Sequence, residues 1–280
     1  MNAPSLIRTL SNEEYHSSPA ISKSGLDLIR RSPFHYFSEK IDDDPEKKRR
    51  ATKAMNIGTA FHLLALEPEK FNDYIAIDPD NWPTKKECGR TIEDQRQEFV
   101  DANPGKIILR ESDMEHLREM ARSIRDHAGA RYLLQGNGMV EASMFWTETI
   151  QDRPVNCRIR PDWMRDDGLL IDIKSTDNAA PEAFDRHFWN FRYHVQGAFY
   201  LDGYQAINRT QSPGFIFIVV EKKPPYAVSL RVITPEYVDI GRRAYLEDLE
   251  TYARCLREGE WPGYGVEVRE IHPPAWANNL

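Results

Sequence analysis

The sequence predicts an α/β (α+β) protein, a mixed central β-sheet flanked by helices, with a helical N-terminal elaboration. Two observations predict the sheet. Polar and apolar residues alternate with the strand period along GMVEASMFWTETI (138–150) and, after a short turn at Gln151-Asp152, along PVNCRIRPDWM (154–164). LLIDIKS (169–175), GFIFIVVEKK (214–223) and YAVSLRVI (226–233) are compact apolar runs bounded by charges or turn residues. A third observation places the helices: NFRYHVQGAFYLDGYQAI (190–207) and EYVDIGRRAYLEDLETYARCLREG (236–259) carry the helical period. The order is helices, three strands, a helix, two strands and a long closing helix.

The N-terminal part builds in short steps. In ISKSGLDLIRRSPFHYF (21–37), Ser22 or Ser24 can cap a helix whose apolar positions Leu26, Leu28 and Ile29 follow at once. Ser32-Pro33 breaks that helix and starts another, because proline is tolerated in a first turn. DDDPEKKRRATK (42–53) swings from acidic to basic with almost nothing to bury, so it reads as a solvated loop or a DNA-contacting one. MNIGTAFHLLALEP (55–68) is a helix with Gly58 and His62 one turn apart. The turn-rich DPDNWPTKKECGR (78–90) joins it to two amphipathic helices at about 91–102 and 111–129. No repeat or composition break divides the chain. It reads as one domain of 280 residues: 1–135 mainly helical, 136–260 the sheet and its helices, and 261–280 a C-terminal tail.

Composition narrows the class. The 6 Trp, 12 Tyr and 12 Phe exclude disorder of the whole chain, and no apolar run is long enough to span a bilayer. The first residues, MNAPSLIRTLSNEEYHSS, lack the basic start and apolar stretch of a signal peptide, so the expected location is the cytoplasm. Cys88, Cys157 and Cys255 are scattered and form no CxxC pair. A net charge of −7 excludes coating of nucleic acid by bulk positive charge, but not a local grip on phosphates.

The chemistry concentrates at two predicted strand ends. Arg160-Pro161-Asp162 closes one strand and Ile171-Asp172-Ile173-Lys174 closes the next. Residues two apart on a strand share a face, so Asp172 and Lys174 both project toward Asp162. Two carboxylates at one point repel unless a cation sits between them, and oxygen ligands suit Mg²⁺ or Mn²⁺. The lysine beside them can orient or deprotonate a water or stabilise phosphate charge, and a metal nearby would lower its pKa. At the helix entry, Ser22, Lys23 and Ser24 offer hydroxyls, one ammonium and free backbone N–H groups, either a phosphate seat or a simple cap.

PD separated by nine residues from D-x-K resembles the PD-(D/E)xK nuclease superfamily, with aspartate at the second acidic position. Gly58-Thr-Ala-Phe-His62 resembles the GxxxH motif of its RecB-like branch, and Gln196-Gly-Ala-Phe-Tyr200 resembles that branch's QxxxY motif. The joint order GxxxH, PD, DxK, QxxxY carries the resemblance. With NEEYHSSPAISKSGLDLI, it is most similar to RecE-type exodeoxyribonuclease VIII and extends over essentially the full length.

The resemblance implies Mg²⁺-dependent digestion of linear double-stranded DNA from its ends, 5′→3′. The 3′ single-stranded tails would pass to a RecT-type annealing protein in phage or prophage recombination and repair. Asp162, Asp172, His62 and the Ile173 carbonyl would hold Mg²⁺, with Mn²⁺ as a substitute, and Lys174 would act on the attacking water. Gln196 and Tyr200 would position the scissile strand, while Glu141 is either an acidic site residue or an outward-facing strand residue. Tentative DNA or 5′-phosphate contacts are Ser22, Lys23, Ser24 and Arg160. Three scattered cysteines do not match the four around an iron–sulfur cluster, so none is expected. The resemblance and the negative charge together call for a homo-oligomer, a ring or toroid, whose inner surface gathers the basic run at 47–50, Lys53, Arg158, Arg160 and Arg165. Two alternatives stay open: a Cas4-like or repair nuclease of other polarity or substrate, and an inert DNA-end-binding recombination protein. The missing cluster cysteines count against a Cas4-like protein, and intact Asp162, Asp172 and Lys174 count against an inert one.

Overall fold

The computed structural model describes residues 4–7, 10–42 and 52–272. The basic run at 47–50 lies outside them. In chain order the N-terminal part holds β1 (Ser5–Ile7), α1 (Asn12–Ser17), α2 (Lys23–Arg31), α3 (Pro33–Tyr36), α4 (Lys53–Leu66), α5 (Phe71–Tyr74) and β2 (Ile75–Asp78). It continues through α6 (Lys85–Cys88), α7 (Ile92–Asp101), β3 (Ile107–Arg110), α8 (Glu111–Asp126) and α9 (Ala128–Leu134). The second part runs β4 (Gly138–Val140), β5 (Ser143–Ile150), β6 (Arg153–Ile159), β7 (Trp163–Arg165) and β8 (Leu170–Thr176). It ends with α10 (Pro181–Asn190), α11 (Tyr193–Asn208), β9 (Phe215–Glu221), β10 (Val228–Val232) and α12 (Pro235–Glu258). No helix among the described residues is long and apolar enough to cross a membrane.

The central sheet has the order β10-β9-β8-β7-β4, with β8 and β9 parallel and the other pairs antiparallel. Its two central strands alternate strictly. Leu170 on β8 and Phe215, Phe217 and Val219 on β9 enter one core with α10, α11 and α12. Ile171, Ile173, Ile218 and Val220 enter a second core with α4, α8 and α9. The sheet is therefore covered on both faces, which is why β9 is apolar from Phe215 to Val220 and β8 is apolar at Leu170, Ile171 and Ile173 around the site residues.

The single strands expected at 138–150 and 154–164 are each bent into two. β5 and β6 form a separate sheet with β1, whereas β4 and β7 join the central sheet. The bend falls at Glu141, whose φ of +48° breaks the ladder, and at Arg160-Pro161-Asp162 opposite it; Glu141 N donates to Asp162 O at 3.1 Å. Such a break re-aims side chains at a sheet corner. The N-terminal part also holds β1, β2 and β3, where only helices were expected. Three or four residues give too little alternation to register as strands.

The closest helix–helix approach in this framework is α12 on α11. A Cβ at Gly241 would meet the His194 carbonyl oxygen at 2.1 Å and its carbon at 2.6 Å, both backbone atoms that cannot swing aside. Gly241→Ala therefore opposes two terms. Helix propensity favours alanine by about 1 kcal/mol, and overpacking costs about 1–3 kcal/mol or more. Against an immovable carbonyl the overpacking wins, so urea denaturation is expected to show Gly241→Ala less stable than the parent.

Candidate active site

The β7–β8 register, Trp163 opposite Ile171, sets Asp162 just beyond the end of β7 and across from Asp172. Asp162 Oδ2 accepts a hydrogen bond from Ile173 N at 2.6 Å. The aspartate thus replaces the strand partner that β7 no longer supplies. Asp172 and Lys174 lie in the middle of β8 rather than at its end, and it is β7 that stops there. Asp172 is buried, and its Oδ1 is ion-paired with Lys174 Nζ. The other oxygen, Oδ2, accepts from Gln196 Nε2 at 2.5 Å.

His62 reaches this point from the opposite face of the sheet. Its Nε2 lies 3.2 Å from the Ile173 carbonyl oxygen and its Nδ1 lies 3.4 Å from Asp162 Oδ1. A neutral imidazole carries one N–H, so one of these contacts sets a nitrogen lone pair against an oxygen. A cation among the three removes the conflict. Asp172 Oδ1, buried and without a well-aligned donor apart from its lysine ion pair, invites positive charge in the same way. Carboxylate and carbonyl oxygens with one imidazole suit a hard divalent metal. Among the described residues no three His, Cys, Asp or Glu side chains form a ready cage. The donors that fit are mixed, with a backbone carbonyl among them.

Other expected residues have different partners. Gln196 holds Asp172, and Tyr200 is buried with its hydroxyl donating to the Arg160 carbonyl at 3.4 Å. The partners of these two side chains are thus protein groups, a carboxylate of the site for Gln196 and the bend at Arg160 for Tyr200. Glu141 sits at the chain break, not within a strand, with Oε2 3.4 Å from Arg160 NH1.

Arg160, expected to touch DNA, is turned inward. It donates to Ser143 Oγ, Asn12 Oδ1 and the Leu10 carbonyl, and its guanidinium lies 4.1 Å from the Tyr15 ring centroid. Arg158 likewise donates to the carbonyls of Tyr15 and Ser18. Both arginines fasten the N-terminal segment to β6, so neither can line a basic channel. Of the other expected donors, Lys53 pairs with Asp113 and Arg165 with Asp167.

Ser22 and Ser24 bond to each other through their hydroxyls at 3.0 Å, and Ser22 makes no side-chain cap on α2. Lys23 Nζ meets Asp27 Oδ2 and the Phe191 carbonyl, each at 2.7 Å, and burial lowers its pKa. Its ammonium also lies 5.6 Å from the Tyr193 ring centroid, which stands 5.0 Å from Lys174 Nζ. Tyr193 was missed in the sequence. A tyrosine at a helix start carries no spacing signal, and only the approach of α2 to this corner reveals it.

Burial raises the Asp162 pKa to about 6, and the neighbouring Asp172 charge adds to the rise; His62, Lys174 and the Ile173 N–H oppose it. Lys174 stands between opposing influences. Burial disfavours its ammonium, but Asp172 and Asp162 outweigh that and hold its pKa above the ordinary lysine range. Without a metal, the carboxylates govern it.

A carboxylate pair and a lysine at the end of a short strand in a helix-covered mixed sheet define a PD-(D/E)xK-type domain. The model of the PDDEXK-like domain of unknown function DUF3799 matches residues 22–271, and the chain belongs to that family. The crystal structure of an Eubacterium rectale protein described as a candidate exonuclease shares the fold. It aligns over 95% of this chain and 96% of its own at 14% identity and a TM-score of 0.62. A structure of SSO0001 aligns over 46% of this chain and 58% of its own, at 15% identity and a TM-score of 0.31, too slight a likeness to bear on the fold. No curated protein matches the chain.

The raised Asp162 pKa has a consequence for the metal-free protein. In the unfolded chain an aspartate titrates near about 3.9. Below that value both states hold the proton and Asp162 costs nothing. As pH rises toward about 6 the unfolded state ionises first, so stability falls, and above about 6 the cost is complete. In EDTA, Asp162→Asn is expected to raise stability by about 2–3 kcal/mol at pH 7.5. The difference from wild type should vanish near pH 4, and paired urea titrations at the two pH values measure it.

Proposed function

We propose that the protein is a Mg²⁺-dependent exodeoxyribonuclease that digests linear double-stranded DNA from its ends, 5′→3′, leaving 3′ single-stranded tails. The observation that carries this reading is the meeting of Asp162, Asp172, Lys174, His62 and the Ile173 carbonyl where β7 ends beside β8. Asp162, Asp172, His62 and the Ile173 carbonyl would hold Mg²⁺, or Mn²⁺ in its place, which when bound supplies Lewis acidity at the scissile phosphate. Lys174, ion-paired with Asp172, would act on the attacking water and steady negative charge on the phosphate. Gln196 fixes Asp172 by its hydrogen bond, and Tyr200 holds the bend at Arg160 that presents Asp162. Glu141 braces the same bend through Arg160. Ser22, Lys23 and Ser24, at the start of α2, are the side chains for an end phosphate, with Lys23 linked to Lys174 through the Tyr193 ring.

A protein of net charge −7 that stays on DNA through many cuts needs its positive charge gathered in one place. A closed homo-oligomer, with a RecT-type annealing protein receiving the 3′ tails, meets that need. Light scattering during digestion tests the closure, and a monomer that degrades kilobases per encounter overturns it.

End-labelled linear duplex beside a covalently closed circle tests the activity. With Mg²⁺ the linear DNA is expected to lose its 5′ label first, while the circle and an EDTA control stay intact. Asp172→Ala should lower the rate at least about a thousandfold with the fold retained, because it removes a charge-bearing ligand without opening the core. Digestion of the circle, or an Asp172→Ala variant near the wild-type rate, overturns the reading.

A further inference from the structure

The corner between α10 and α11 leaves two large aromatic side chains in water, one of them, Phe191, next to the tyrosine that meets Lys174. Trp189 is 51% exposed and Phe191 is 54% exposed, although rings of this size usually bury most of their surface. Each is backed from within the protein. The Trp189 indole lies on the buried His194 ring, centroids 4.5 Å apart and planes 14° apart. Phe191 lies on His187 at 4.2 Å and 27°. Its next neighbour is Tyr193 at 5.9 Å, the ring that meets the Lys174 ammonium. A run of rings thus leads from the catalytic lysine out to solvent.

The corner is held in place. The Phe191 carbonyl accepts from Lys23 Nζ at 2.7 Å. Arg192 takes a left-handed φ of +54°, which a side chain adopts only where its surroundings enforce it. The enforcement comes from Asp27 at 2.9 Å and from the buried Asp248, both ion-paired with its guanidinium. Positive charge borders the rings. His194 is pulled down to about 4 by burial and by the neighbouring Arg192 and Lys23. His187 is lowered by burial and Lys222, with Asp177 opposing. Burial and neighbouring cations therefore both act against protonation of the two backing rings, the cations being themselves paired with aspartates.

Flat rings for bases and flanking cations for phosphates are the features by which proteins hold single-stranded nucleic acid. We propose that Trp189 and Phe191 form a stacking platform for an unpaired nucleobase of the DNA strand being cut, so that the enzyme engages a frayed end. The proposal rests on the nuclease reading of the same site.

The test is fluorescence anisotropy in EDTA, where hydrolysis does not proceed, with a labelled oligothymidylate of about twelve residues and a set carrying one abasic residue at successive positions. Wild type is expected to lose about tenfold in affinity when the abasic residue falls at one particular position. The Trp189→Ala, Phe191→Ala double variant should bind the intact oligonucleotide at least about tenfold more weakly and be indifferent to abasic position. Trp189→Phe should keep the position dependence, which separates stacking from a general effect on folding. A double variant that binds like wild type, or keeps the abasic penalty, overturns the platform. If wild type shows the position dependence but digests no linear duplex with Mg²⁺, the nuclease reading fails and the platform stands. If it digests duplex but ignores abasic position, only the platform fails.

Discussion

The hydrogen bond from Ile173 N to Asp162 Oδ2 is the contact on which the site depends. β8 needs a partner where β7 has stopped, because an unpaired N–H in a buried strand is costly. Asp162 meets that need with a side chain, and in doing so it is fixed beside Asp172. The backbone's own hydrogen-bonding requirement thus brings two like charges together. Burial then raises their cost, and Lys174 on the same strand face offsets part of it. Two buried carboxylates side by side carry an electrostatic cost that the surrounding fold must bear, here through two apolar cores covering β8 and β9 on both faces.

That division explains what was legible in the amino-acid sequence. Backbone periodicity puts Asp172 and Lys174 on one strand face and Gly58 and His62 one turn apart, but it was the joint order of the four motifs that singled them out. The covered sheet was legible from periodicity, since β8, β9 and α12 are long enough to show their period. The bend that splits β4 from β5 and β6 from β7 was not, because a left-handed glutamate leaves no pattern of its own. Tyr193, Arg192 and the inward turn of Lys23 depend on the approach of α2 to the α10–α11 corner. Such contacts join residues more than 160 positions apart, and no local window contains them.

Arg158 and Arg160 show how a charge on a strand misleads. Read along the sequence, they stand near the site and face a polyanion. In the fold they are engaged by carbonyls of residues 10–18 and by the Tyr15 ring, partners that lie some 140 positions earlier. Arginine suits this task because its planar fork can serve several carbonyls at once. The N-terminal segment is thereby tied to β6, and it leads into α2 and Lys23.

These internal partners limit what the cations near the site could offer a phosphate. Arg158 and Arg160 are internal, and Lys53 and Arg165 are paired with acids, so these four of the expected donors offer a phosphate no free charge. The cations that remain close to the carboxylates, Lys23, Lys174 and Arg192, are each partnered by an aspartate and gathered around Tyr193. Phosphate can compete for such ammonium groups only at contact distance, where a strand is already threaded to the corner.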